Sequence, residues 1–169
     1  MPVSTRPSPT PAAMPDNAAA ASRVLRQFRV VFNAVKTHFR QVEKVAGIGG
    51  AQVWALSVIH ERPGIGVSEL ARAMDVHQST ASNLIKPLLE RGLARTVKDA
   101  QDRRAVGLHL CDSGRHLLNQ APAPFAGVLP DALAGLDAAT LARLERDLGT
   151  LISALEAGDA GAGTPLADL

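Results

Sequence analysis

The sequence predicts a mainly α protein with one small β element, and three observations predict it. Apolar residues recur at steps of three and four over most of the 169 residues, which is the period of one helix face. Aromatic residues make up only 3% of the chain and Tyr is absent, so the core has to come from Leu, Val, Ile and Ala. The helical period breaks over residues 93–110, where two short apolar stretches flank the charged run Lys98-Asp99-Ala100-Gln101-Asp102-Arg103-Arg104. That pattern reads as two strands around a charged tip.

Residues 1–17 are rich in Pro, Ser, Thr and Ala with few large apolar side chains, and are expected to form a disordered tail. From 18 to 46, Val24, Phe28, Val31, Val35, Phe39, Val42 and Val45 define one face of a long helix, with Arg23, Arg26, Arg29, Lys36, Arg40 and Lys44 largely on others. Such a helix buries too little alone and needs a partner. Gly47, Gly49 and Gly50 end it. A second helix over 51–61 carries Val53, Trp54, Leu56, Val58 and Ile59, and Pro63-Gly64 stops it. Ile65-Gly66-Val67 reads as a short strand, and Ser68 as the N-cap of a third helix over 69–74. Asp75-Val76 makes a turn, His77 or Gln78 opens a fourth helix over 78–91, and Gly92 is a fitting residue just past its end. Two short helices joined by so tight a turn form a helix-turn-helix.

The strands over 93–98 and 104–110 then read as a wing, so that residues 51–111 form one winged module. A fifth helix starts near Asp112 or Ser113, one of which is expected to cap it, and Pro122, Pro124 and Pro130 must break or kink it. Asp137 caps a last helix whose Leu141, Leu144, Leu148, Leu151 and Leu155 form a coiled-coil-like seam. Residues 158–169, rich in Gly and Ala, are expected to be a second disordered tail. The organisation is one domain over 18–157, in which segments 18–46 and 112–157 pair with those of a second subunit and flank the module.

The chemistry of the module points to nucleic acid. A polar helix rich in Ser, Thr and Asn suits the major groove, and a following hairpin with arginines at its tip can reach the adjacent minor groove. Asp102 can hold Arg104 by a charge-assisted hydrogen bond and aim it. The competing reading is a solvated turn whose charges only blunt a sheet edge. The formal net charge of +2 says little, but positive residues bunch between residues 86 and 104.

One cysteine excludes an internal disulfide framework. No apolar run is long enough to span a membrane, and the first residues lack an apolar leader, so a soluble cytoplasmic protein is expected. No nucleophile elbow, phosphate loop or metal-ligand motif occurs, so no enzymatic activity and no cofactor are expected.

Taken together, Val67-Ser68-Glu69-Leu70-Ala71, Gln78-Ser79-Thr80-Ala81-Ser82-Asn83-Leu84-Ile85, Leu89-Glu90-Arg91-Gly92-Leu93, Asp102-Arg103-Arg104, Leu108-His109-Leu110 and Gly114-Arg115 resemble the MarR family of winged helix-turn-helix transcriptional regulators. The likeness covers roughly residues 24–155. It implies a homodimer on palindromic operator DNA, commonly a repressor released by a small aromatic or phenolic effector. Residue by residue, it puts Gln78, Ser79, Thr80, Ser82 and Asn83 on the base-facing front of the recognition helix, and Lys86 one turn on against a phosphate. Arg103 or Arg104 falls at the wing arginine and Asp102 at its partner; Arg95 and Lys98 complete the DNA-contacting set. His77 suits a phosphate contact or the cap of that helix.

Three features depart from the family pattern. Asn83 stands where many members carry a basic residue, Pro87 lies inside the recognition helix, and Cys111 replaces a usual capping Thr. The first expectation for Cys111 is a small buried side chain, and a redox switch is the sharper alternative. His109, Cys111 and His116 lack the further ligands that a metal site needs. Trp54 is expected in the core, or as the wall of an effector pocket with His38 or Arg40 holding an anion. A winged-helix module that binds protein in place of specific DNA is the rival functional reading.

Overall fold

The computed structural model describes residues 15–98, 106–155 and 162–168. The order of elements is α1 (Pro15–Ala46), α2 (Gly50–Glu61), α3 (Val67–Ala73), α4 (Gln78–Glu90), β1 (Ala94–Lys98), β2 (Val106–Leu110), α5 (Asp112–Gln120), α6 (Val128–Ala134), α7 (Ala138–Ala154) and a 3-10 turn at Leu166–Asp168. The chain divides into two units after Asn33. The helix begins at Pro15, not at residue 18, because Pro is favourable in a first helical turn, where its missing amide has no partner to lose. Residues 1–14, the rest of the expected N-terminal tail, lie outside the described residues.

The long apolar stripe on α1 turns out to be split. In the first unit, Phe28 and Phe32 stack with ring centroids 6.1 Å apart, one helical turn from each other, while Val24, Leu25, Val30, Val31 and Phe32 are exposed. In the second unit, Val35, Phe39 and Val42 are buried. Val45, at the end of the stripe, is exposed.

That core is built around α2. Val53, Ala55, Leu56 and Ile59 are fully buried, and a helix apolar on nearly every side has to lie inside. Ser57 is buried there too, and its hydroxyl donates to the Trp54 carbonyl at 2.7 Å, so no polar atom is orphaned. Leu70, Met74, Leu84, Ile85, Leu88, Leu108 and Leu110 pack into the same cluster from α3, α4 and β2.

The N-cap of α3 is Gly66, not Ser68. The Gly66 amide donates to Glu69 Oε2 at 3.2 Å, and Ser68 falls on the second helical residue, inside the turn it was expected to cap. A glutamate three residues into a helix can reach back to satisfy the cap's own amide, and here that contact sets the start. The expected strand at 65–67 shrinks to a single bridge from Ile65 to Leu108, since Gly66 and Val67 are already used by the helix. Asp75 takes φ 52° in the turn before α4, a conformation that Asp tolerates better than branched residues.

After α4 the chain turns as expected at Gly92, whose φ is 66°. The Leu93 amide bonds to the Leu88 carbonyl and the Gly92 amide to that of Leu89, which is a Schellman closure. β1 and β2 then pair antiparallel, with Arg95 opposite His109 and Lys98 opposite Val106. Gly107 is required here for closeness: a Cβ would lie 2.7 Å from the Gly64 carbonyl oxygen.

Neither Asp112 nor Ser113 caps α5. Cys111 occupies the N-cap position, half-buried and without a side-chain cap bond. Asp112 pairs instead with Arg115, and the Ser113 hydroxyl donates to the Gly92 carbonyl at 2.7 Å. The prolines break the helix, as expected. Pro122 and Pro124 fall in the loop after α5, and Pro130 sits in the first turn of α6, where its missing amide costs no intrahelical bond.

Asp137 caps α7 by accepting from the amide and the hydroxyl of Thr140, which holds its carboxyl below the ordinary aspartate value. None of the residues of α7 is buried, and Leu144, Leu148, Leu151, Ile152 and Leu155 are exposed. The expected C-terminal tail is ordered over residues 162–168: Gly163 and Pro165 are buried, and Ala167 packs against the core. Burial, with the Glu43 charge second, raises the Asp168 carboxyl above its ordinary value. Residues 156–161 and 169 lie outside the described residues.

Candidate nucleic-acid interface

The geometry of α4 follows from its period. Ala81, Leu84, Ile85 and Leu88 are buried, so the opposite face must point outward. That face carries Gln78, Ser79, Ser82, Asn83 and Lys86, all exposed, and Thr80 is half-buried at its edge. The structure thus brings these sequence-predicted contacts, apart from the edge position of Thr80, onto one polar surface. Gln78 and Asn83 present a donor and an acceptor together, whereas Lys86 is a point charge one turn on. Ser82 differs from its expected role in one respect. Its hydroxyl donates to the Gln78 carbonyl at 2.9 Å, so toward a ligand it has only acceptor capacity left.

His77 is the N-cap residue of α4. Its carbonyl accepts the first helical bond, from Ala81 at 3.0 Å, and its imidazole makes no cap bond. Its ring instead packs against the backbone of Gly163, beside the positive end of a 13-residue helix. The helix runs on through Pro87, which offers no amide to the Asn83 carbonyl.

Two long-range bonds hold the C-terminal end of α4 and had no local sequence signal. Arg91 Nη1 donates to the Gly47 carbonyl at 3.2 Å, a separation of 44 residues, and Ser113 donates to Gly92 across 21 residues. Both fix the angle at which the polar face is presented. In the sequence, Ser113 suggests only a cap and Arg91 only part of a motif.

On the hairpin, alternation separates the two remaining cations. Ala94 faces the core opposite buried Leu110, so Lys98, four residues on, shares its side of the ribbon, while Arg95 lies on the other. Lys98 borders a groove of about 500 Å³ together with Gly66, Ser68, Glu69 and His109. The expected wing-tip residues Asp102, Arg103 and Arg104 lie outside the described residues.

The three candidate effector residues differ in their surroundings. His38 Nε2 lies 2.9 Å from the Pro124 carbonyl, which only accepts, so Nε2 carries the proton; Arg40 is exposed, and Trp54 is half-buried against the core. His116 bonds to Gln120 at 3.1 Å, away from His109 and Cys111. Among the described residues, no group of three or more His, Cys, Asp or Glu side chains could hold a metal ion, and no helix is long and apolar enough to cross a membrane.

Two short helices joined by a tight turn, the second with an exposed polar face, and an antiparallel hairpin directly after it define a winged helix-turn-helix. Comparison with known proteins agrees. The MarR family profile matches residues 46–105. The HTH-type transcriptional regulator Hpr of Bacillus mycoides (strain KBAB4) is 28% identical over 98 residues, covering 58% of this chain and 53% of Hpr. The HTH-type transcriptional repressor MdtR of Bacillus subtilis (strain 168) is 24% identical over 93 residues, covering 55% of this chain and 60% of MdtR. A crystal structure of a MepR–DNA complex from S. aureus superposes with a TM-score of 0.53 at 23% identity, covering 76% of this chain and 94% of that one, a likeness of fold. The likeness to the MarR family thus falls on the winged-helix module of this chain. The chain spans about half the length of the curated Hpr relatives it matches, which are HTH-type transcriptional regulators.

Proposed function

We propose that the protein is a homodimeric transcriptional regulator that binds palindromic promoter DNA, represses from it, and is released by a small aromatic or phenolic effector. The observation that carries this reading is the outward face of α4, where Gln78, Ser79, Asn83 and Lys86 stand exposed beside the hairpin. Carboxamides match the adenine edge in the major groove, and cations match any phosphate. The DNA-bound fold of MepR and the repressor name of MdtR support the reading by analogy.

Dimerisation rests on the uncovered apolar seams. Val24, Leu25, Val31 and Phe32 of α1 and the leucines of α7 are exposed, and water-facing stripes of this length call for a partner. The mechanism is then geometric. Two recognition helices must sit about one DNA turn apart, roughly 34 Å, to fill successive major grooves. An effector that prefers a dimer with another spacing draws the population off DNA. His38 and Trp54 are the residues by which α1 and α2 would feel such a ligand, and the reading implies a cytoplasmic site of action.

A competition gel shift tests this. The protein should retard the DNA flanking its own gene in the presence of excess unrelated duplex. Retardation that unrelated duplex abolishes at equal mass would favour the protein-binding alternative.

A further inference from the structure

The segment over 162–168 is the part of the fold that neither the winged helix nor the apolar seams explain. It has no long apolar side chain in the core and a composition suited to a loose tail, yet it is packed at both ends. At one end Gly163 is buried against the imidazole of His77; a Cβ on Gly163 would lie 2.5 Å from His77 Cδ2 and 2.9 Å from Nε2. At the other end the 3-10 turn sits on α2. Ala167 packs against the core, and a Cβ on Gly50 would lie 3.2 Å from that of Ala167. Pro165 between them is buried. Residues 156–169 include Glu156, Asp159 and Asp168 and no Lys or Arg.

We propose that this segment is an intramolecular inhibitor of DNA binding, a clasp that rests on the N-terminal end of the recognition helix and must leave before that end enters a groove. The inference rests on the DNA-binding reading of α4. Its argument is positional. The base-reading residues of such a helix lie at its N-terminal end, and the first of them, Gln78, follows His77 directly. One residue is 1.5 Å of helix rise, so chain in van der Waals contact with the His77 ring stands within the space that a duplex about to meet Gln78 must approach. The closeness requires glycine at 163, since any side chain there collides with the ring.

A clasp that is docked nine-tenths of the time leaves a tenth of the molecules competent, so its removal should tighten binding about tenfold. Two variants test this. One ends after residue 161; the other is full-length Gly163→Val, which forces the segment off His77 without altering charge. Affinity for the flanking DNA and for a random duplex is measured by fluorescence anisotropy at fixed salt. Both variants should bind more tightly than the parent, by several-fold to about tenfold, on both duplexes. Affinities equal to or weaker than the parent's overturn the clasp and leave the DNA reading intact. A gain in the truncation alone makes the effect one of charge and also overturns the clasp. Failure of parent and variants alike to bind either duplex overturns both readings.

Discussion

Leu148→Glu should abolish tight operator binding while leaving each chain folded. Leu148 lies mid-way along the exposed leucine seam of α7, and α7 contributes no buried residue to the chain's own core. A glutamate there disturbs nothing inside a protomer. In a dimer it would have to be buried without a partner, at a cost of several kcal/mol. The two half-sites of an operator are bound by linked reading heads, and a linked second contact strengthens binding by about 10²–10⁴-fold without any new contact. Losing the link should weaken operator binding by that factor and leave binding to a single half-site nearly unchanged. Sedimentation velocity reads the first consequence directly: the variant should run as a monomer of native helicity by circular dichroism. An intact dimer would move the interface off α7, leaving the exposed Val24, Val31 and Phe32 face of α1 as the remaining seam.

Asn83→Ala should reduce specificity, and Lys86→Ala should reduce affinity alone. Both side chains are exposed on the outward face of α4, so neither change opens a cavity. A carboxamide pairs bidentately with adenine, and removing it costs about 1–3 kcal/mol of discrimination, or roughly 5- to 150-fold on the cognate site and far less on random DNA. Lys86, as a point charge on a phosphate, should weaken both duplexes about equally and lower the slope of log K against log salt by about 1. Pro87 tests the geometry within the same experiment. If the break it makes in the helix ladder turned Asn83 to the backbone, Asn83→Ala would weaken both duplexes alike, and the reading face would lie about a turn away.

Much of the module was legible because its signals are local. Gly92 closes α4 in a left-handed conformation that few other residues adopt, Asp137 caps α7 within three residues, and the three prolines end a helix they cannot continue. The outward face of α4 follows from the positions of Ala81, Leu84, Ile85 and Leu88 alone. The errors arose where two local signals competed or where the decisive contact was remote. Ser68 is a good cap by type, but Glu69 reaches the Gly66 amide and starts the helix earlier. The α1 stripe runs unbroken in sequence, yet Val35, Phe39 and Val42 are buried while Val24, Val31 and Val45 are exposed, a difference that periodicity alone does not carry. The segment at 162–168 has the composition of a tail, and only Gly50 and His77, more than 80 residues away, give it a place. Arg91 and Ser113 hold the recognition helix through partners 44 and 21 residues distant, beyond any periodic pattern.

Hydroxyl-radical footprinting of the protein on the DNA flanking its gene tests the central claim most directly. A dimer with two winged heads should protect two symmetric half-sites whose centres lie about one helical turn apart, roughly 10 base pairs, over inverted repeats. A single protected patch, or protection that shifts freely with the length and sequence of the fragment, would contradict it.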